Sequence, residues 1–280
     1  MTMEITVLVD NNTLIDRYFL AEPGLSLLIQ DGETTALFDT GYSDIFIKNA
    51  IKMGKDLTNL DYLALSHNHL DHTWGLEPLI KYYTELQIEK HSFNRPALVA
   101  HPEIFASVST DGFKEFGSLL SEDKLAKHFP LRLSAQAQSL SSRLMFLGEI
   151  PRRNNFEAAC SFGRKEGSDA DDYVIDDSAL VYQSGKGLVI ITGCSHAGIC
   201  NIIEYAKEVC DDDRVLDIIG GFHLQNPPKR QLEGTISYMN ELQPESVHAC
   251  HCTDLFSKIA LSNVINLKEV GVGLSLRYDD

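Results

Sequence analysis

Seven residues, Ser66-His67-Asn68-His69-Leu70-Asp71-His72, follow directly on the apolar run Leu60-Asp61-Tyr62-Leu63-Ala64-Leu65. Three imidazoles and one carboxylate therefore crowd into six positions. Only a loop leaving a strand end can fan alternating side chains so tightly, so residues 61–65 are the predicted strand that delivers them. Left unpaired, the three imidazoles would repel one another once protonated. A divalent cation is the simplest reason to gather them. Neutral imidazole with carboxylate suits zinc, with iron and manganese as the alternatives.

The rest of the chain alternates strand and helix signals. Residues 5–9, 25–29 and 34–38 read as strands, with Asp31-Gly32 as a hairpin turn. Apolar residues at helical spacing predict helices over 43–53 and 76–86, and Pro96 opens a short strand, 97–100. Residues 102–138 are irregular and read as mostly helical, 139–150 as strand, and the polar stretch 152–176 as a mobile loop. A second hairpin pairs 178–183 with 187–191. Helices at 198–209 and 230–242 then alternate with strands at 216–219, 246–249 and 273–276. This order fits an α/β fold, an αββα sandwich with a helical and loop insertion and its metal at one edge.

At 280 residues the chain could hold one large domain or two small ones. No Pro/Gly/Ser linker divides it, and histidine- and cysteine-bearing segments recur near its middle and its end. One domain over 1–280 is expected. Apolar content of 44% supplies a sizeable core, yet no stretch approaches 18 uncharged apolar residues, which argues against secretion and membrane spanning. Six cysteines without small-secreted-domain spacing point to reduced thiols in the cytoplasm. A net charge of −16 makes nucleic acid an unfavourable partner. A small molecule is expected instead. The acidic runs 169–177 and 211–213 read as solvated loops.

His67-x-His69-x-Asp71-His72 resembles the signature of the metallo-β-lactamase fold superfamily. Asp39-Thr40-Gly41, Thr192-Gly193-Cys194-Ser195-His196-Ala197-Gly198, Gly220-Gly221-Phe222-His223-Leu224 and His248-Ala249-Cys250-His251-Cys252-Thr253 extend the likeness. With Gly148-Glu149-Ile150-Pro151-Arg152 they resemble a branch named for 7,8-dihydropterin-6-methyl-4-(β-D-ribofuranosyl)aminobenzene 5′-phosphate synthase, or simply for metal-dependent hydrolases. The resemblance implies two divalent metal ions. His67 and His69 would hold the first, Asp71 and His72 the second, with Asp71 also the expected catalytic carboxylate. It further implies that residues 102–176 form an insertion and candidate lid over the cleft.

More ligands must come from distant sequence, because two protein groups do not complete a coordination shell. Relatives end the strand before Cys194 in Gly-Asp, and here Gly193-Cys194 replaces it. Either Cys194 supplies a thiolate, or it packs silently and His196 completes the first metal. His251 stands where relatives place the last histidine of the second. His223, after a double glycine, is either a ligand or substrate contact, or a hydrogen-bonded histidine at a turn. Asp39 is expected behind the ligands, receiving a ring N–H and setting its tautomer. Arg152 and Arg153 are candidate clamps for an anionic substrate. Lys229 and Arg230, at a predicted helix start, carry the same suggestion more weakly.

The expected activity is hydrolysis of a phosphoester or other ester-like small molecule by metal-activated water. A pterin-pathway synthase and an iron-dependent redox protein are the alternatives. The redox relatives usually carry Glu in place of the second histidine, whereas His69 stands here.

Overall fold

The computed structural model describes residues 2–167 and 170–279. Asp169 of the first acidic run thus lies outside the described residues. In chain order the first elements are β1 (Thr2–Val9), β2 (Ser26–Asp31), β3 (Thr34–Phe38), α1 (Ile45–Met53), β4 (Tyr62–Ala64), α2 (Leu70–Thr73), α3 (Leu76–Ile88) and β5 (Ala97–Ala100). A middle stretch carries β6 (Val108–Ser109), α4 (Glu122–Leu125), β7 (Leu131–Leu133), β8 (Gln138–Ser139), β9 (Leu144–Phe146) and β10 (Arg164–Lys165). The last third contains β11 (Ala179–Ser184), β12 (Gly187–Thr192), α5 (Ile199–Cys210), β13 (Val215–Gly221), α6 (Lys229–Leu242), β14 (Ser246–Cys250), α7 (Leu255–Ser262) and β15 (Ser275–Asp279).

Two sheets stack face to face. One runs β15-β1-β2-β3-β4-β5-β7, the other β14-β13-β12-β11-β9-β8. Strand periodicity explains the layering, because successive side chains point to opposite faces. In β3, Ala36 and Phe38 enter the core between the sheets, while Leu37 packs outward with Phe46 of α1 and Leu76 and Leu79 of α3. In β12, Val189 and Ile191 face the first sheet, while Leu188 and Ile190 meet Ile199, Ile202 and Ile203 of α5. Three apolar cores thus separate four layers, and the fold is an αββα sandwich. No helix among the described residues is long and apolar enough to cross a membrane.

The middle of the chain departs from expectation. Residues 102–138 are not mostly helical: one 3-10 turn, Pro102–Phe105, and the four-residue α4 sit among short strands. Pro102, Gly112, Gly117 and Pro130 interrupt any longer helix. Residues 139–150 split into β8 and β9 about a turn at Ser141, whose hydroxyl accepts the N–H groups of Arg143 and Leu144. The last strand starts at Ser275, because the chain turns through Gly271 and Gly273.

Strand direction locates the functional edge. β3, β4 and β5 run parallel, as do β12, β13 and β14. Their carboxyl ends open on one edge, where ligands of open α/β sheets bind. Close packing there demands glycine. Gly220 holds φ +135°, and a Cβ on it would lie 2.0 Å from the Thr192 carbonyl oxygen of the neighbouring strand. Gly220→Ala therefore forces β12 and β13 apart. We expect a loss of about 3 kcal/mol, read as a melting temperature roughly 6–10 °C lower. An unchanged melting temperature would mean that the strand ends yield freely.

Candidate metal centre

The cluster begins where β4 ends. Ser66 and Asn68 are fully buried with His67, and Asn68 N–H donates to Asp176 Oδ2 at 2.8 Å. His69 precedes α2 in extended conformation, so Asp71 and His72 turn back towards it on the first helical turn. Strand end followed by one helical turn is the local geometry that lets six positions supply four converging groups.

Two ligand sets result. His67, His69 and His196 each place a ring nitrogen within 4.8 Å of the others, and so do ligand atoms of Asp71, His72 and His251. A third set, His67, His72 and Cys194, joins the first two, so the Cys194 thiol sits between the two triads. His72 Nε2 lies 3.2 Å from Cys194 Sγ and 3.2 Å from His251 Nε2, while His251 Nε2 is 3.3 Å from Asp71 Oδ2.

Asp39 sets the tautomers. Its carboxylate accepts the Ser66 N–H at 2.7 Å, the Ser66 hydroxyl at 2.7 Å and His72 Nδ1–H at 2.7 Å. With its proton given to Asp39, Ser66 Oγ is left to accept from His67 Nδ1 at 2.9 Å. Both histidines then carry their lone pairs on Nε2, towards the cluster. Behind Ser66, a Cβ on Gly193 would fall 2.2 Å from the serine hydroxyl, so only glycine leaves room for this relay.

Buried nitrogens without partners are the most telling feature. His67 Nε2, His69 Nε2 and both ring nitrogens of His196 are buried and make no hydrogen bond among the described residues. Unpaired buried polar atoms are costly, and several converging on one point call for a cation. Burial, reinforced by neighbouring imidazoles, pushes His67 and His196 well below the usual histidine range. Burial likewise takes His69 down to about 3. These rings are held neutral, the form that ligates. On the other side, burial opposes ionisation of Asp71, but His72 and His251 hold its carboxyl well below the usual range. The residues present would fit divalent metal, with His67, His69 and His196 able to hold one ion and Asp71, His72 and His251 placed to hold a second.

His223 behaves differently. It adopts φ +51°, its ring centroid lies 4.4 Å from that of His196, and its Nδ1 is unpartnered, yet it joins none of the ligand sets among the described residues. It stands at the mouth, edge-on to Phe162 at 4.7 Å. Phe116 and Phe162 also pack on His69, at 4.6 and 6.1 Å between centroids.

Arg152 and Arg153 do not clamp this cleft. The Arg152 guanidinium donates to the carbonyls of Tyr173 and Val174, bracing the loop before β11. Arg153 pairs with Glu208 on the exposed side of α5. A loop that needs its carbonyls satisfied and a nearby helical carboxylate engage the two guanidiniums instead. His101 and Glu149 face each other at 3.4 Å.

Several contributors were not visible beforehand. Asp10 and Asn11, at the end of β1, clamp His251: Asp10 accepts its backbone N–H at 2.9 Å and Asn11 Oδ1 lies 3.3 Å from its Nδ1. Cys252 forms a set with Cys194 and His251. Asp177 accepts the Ala197 N–H beside His196, and Glu157 accepts the first N–H groups of α5. Burial raises Asp177 to about 7. Only an Asp-Asp-Ser run ahead of a strand hinted at the first, and nothing marked the second.

The family described as the metallo-beta-lactamase superfamily matches residues 20–209. The chain is 29% identical over 270 residues to an uncharacterized protein of Methanocaldococcus jannaschii, covering 96% of this chain and 98% of that one. It is 32% identical over 252 residues to the same organism's 7,8-dihydropterin-6-methyl-4-(beta-D-ribofuranosyl)-aminobenzene-5′-phosphate synthase, covering 84% and 82%. The crystal structure of a metal-dependent hydrolase of the beta-lactamase superfamily superposes with a TM-score of 0.82 at 27% identity, covering 99% of this chain and 100% of that one.

Proposed function

Because the chain belongs to the metallo-beta-lactamase superfamily, we propose that it is a metal-dependent hydrolase of a small anionic phosphoester or other ester. The observation that carries this reading is the pair of triads meeting at buried, unpartnered imidazole nitrogens. Divalent ions held there would supply Lewis acidity and lower the pKa of water from 15.7 to about 7. Zinc best suits a donor set of imidazole, carboxylate and the flanking thiols.

The chain's own residues do the remaining work. Asp39 fixes the ring of His72 directly and that of His67 through Ser66. Asp10 and Asn11 fix His251. Phe116 and Phe162, both in the 102–176 insertion, cover His69 and exclude bulk water, which is the role we assign to that insertion as a lid. Neither Ser195 nor Ser66, the serines adjoining the ligand sets in sequence, is free to act as nucleophile. The Ser195 hydroxyl, beside His196 in sequence, donates to the Gly221 carbonyl at 2.6 Å, and the Ser66 hydroxyl is committed to Asp39.

Chelation tests the reading. Stripping the metal should abolish turnover on a panel of phosphodiesters, lactones and carboxylic esters, and zinc should restore it. Loss of a ligand bound at 100 to 1,000 times its Kd removes about 2.7–4.1 kcal/mol, so the melting temperature should fall by roughly 5–15 °C. A metal-replete protein inactive across the panel would count against hydrolysis.

Likeness to the pterin-pathway synthase over 84% of the chain supports a second reading, synthesis of a ribofuranosylaminobenzene phosphate. Product analysis with a phosphoribosyl donor and an aminobenzoate acceptor separates the two.

A further inference from the structure

A cavity of about 370 Å³ opens directly from His196 and His223. Phe156 and Phe162 form one wall, and the turn through Pro227 and Pro228 leading into α6 forms another. The chain carries 40 Asp and Glu against 24 Lys and Arg, yet among the described residues no carboxylate lines this space. Four other surface cavities each include at least two acidic residues. Arg230 is the cation in the wall. Among the described residues its guanidinium makes no ion pair or hydrogen bond, in contrast to Arg152 and Arg153.

The same corner presents backbone donors. Pro228 caps α6 without a side-chain hydrogen bond, and the N–H groups of Gln231 and Leu232 return to its carbonyl. Those of Lys229 and Arg230, one residue earlier, find no acceptor among the described residues. A 14-residue helix with open N–H groups favours negative charge at this end. Deeper in the cavity, His196 is 6% exposed with both ring nitrogens unpartnered, so the space leads from a cationic rim to the metal-ligating rings.

We infer that this cavity is a specificity subsite in which Arg230 and the α6 N-terminus hold a terminal oxyanion of the substrate, a phosphate or carboxylate remote from the scissile ester. Phe156 and Phe162 flank the apolar or aromatic part between the two ends. The inference rests on the hydrolase reading for the reacting end, but the oxyanion subsite is a binding property and can be measured alone. A planar guanidinium suits either oxyanion through paired hydrogen bonds.

The test is calorimetric titration of the metal-loaded protein with phenyl phosphate, phenylacetate and neutral benzyl alcohol, in the wild type and in Arg230→Met. Arg230 is exposed, so the methionine keeps bulk without threatening the fold. We expect about tenfold weaker binding of both anions in the variant, and the same affinity for benzyl alcohol. A loss confined to phenyl phosphate would assign the subsite to phosphate, and one confined to phenylacetate to carboxylate. Equal binding of both anions in the two proteins would overturn the inference, since any anion then sits on the metals alone. In parallel, the ratio of kcat/KM for an ester bearing a remote carboxylate to that for its uncharged amide counterpart should fall about tenfold, carried by KM. Arg230-dependent binding without turnover of any ester would sink the hydrolase reading and leave the subsite standing. Turnover with Arg230-independent binding would do the reverse.

Discussion

His69→Ala is expected to release one metal equivalent and to cut hydrolysis about a thousandfold, a barrier increase of about 4 kcal/mol. His69 is 3% exposed and offers an unpartnered Nε2 to the set formed with His67 and His196. Alanine leaves that set with two donors, too few for a tetrahedral ion. His72, Asp71 and His251 are untouched, so the second ion should stay. Elemental analysis and turnover must therefore be read together. One equivalent of metal with near-zero rate supports the assignment, whereas full metal content with full rate contradicts it. Circular dichroism guards against simple unfolding, since the ring also packs against Phe116.

Asp39→Asn should do almost as much damage without removing any ligand. The carboxylate accepts from Ser66 twice and from His72 once, and through Ser66 it sets the orientation of His67. An amide has one acceptor oxygen, and its NH2 would face either the serine hydroxyl or His72 Nδ1–H. One ligand in each metal set then loses its fixed tautomer. Removing such a partner costs 10- to 100-fold for a single ligand. With both metals involved, about a hundredfold loss in metal affinity, in turnover or in both is expected. Competition against a chromogenic chelator measures the first. Unchanged affinity and rate would show that Ser66 and the strand ends hold the rings unaided.

The two changes also separate kinds of information. His69 was legible because its neighbours in sequence are its neighbours in space: three histidines and an aspartate on one strand end admit few explanations. Asp39 was legible because Asp39-Thr40-Gly41, after an apolar strand, resembles the superfamily's early Asp-x-Gly element. Layering was equally plain, because Ala36, Leu37 and Phe38 alternate at the period that buries one face between sheets and the other under helices. Where proline and glycine broke the periodicity, between residues 102 and 150, the reading of helix and long strand failed.

What remained hidden was decided by strand order. That β12, β13 and β14 run parallel beside one another brings Cys194, His223 and Cys252 to one edge, and that β1 ends opposite them brings Asp10 and Asn11 onto His251. Arginines show the limit most clearly. Arg152, Arg153 and Arg230 look alike in sequence, but two are consumed by nearby carbonyls and a carboxylate, and the third faces a cavity that no carboxylate of the described residues lines. The chain alone determined the strand end that carries the histidine cluster and the alternating cores, because both depend on residues a few positions apart. Which distant groups complete the site, and which charge stays free, depended on contacts spanning up to 241 positions, such as Asp10 to His251. No local spacing encodes such contacts, since they arise only when the two sheets close on each other.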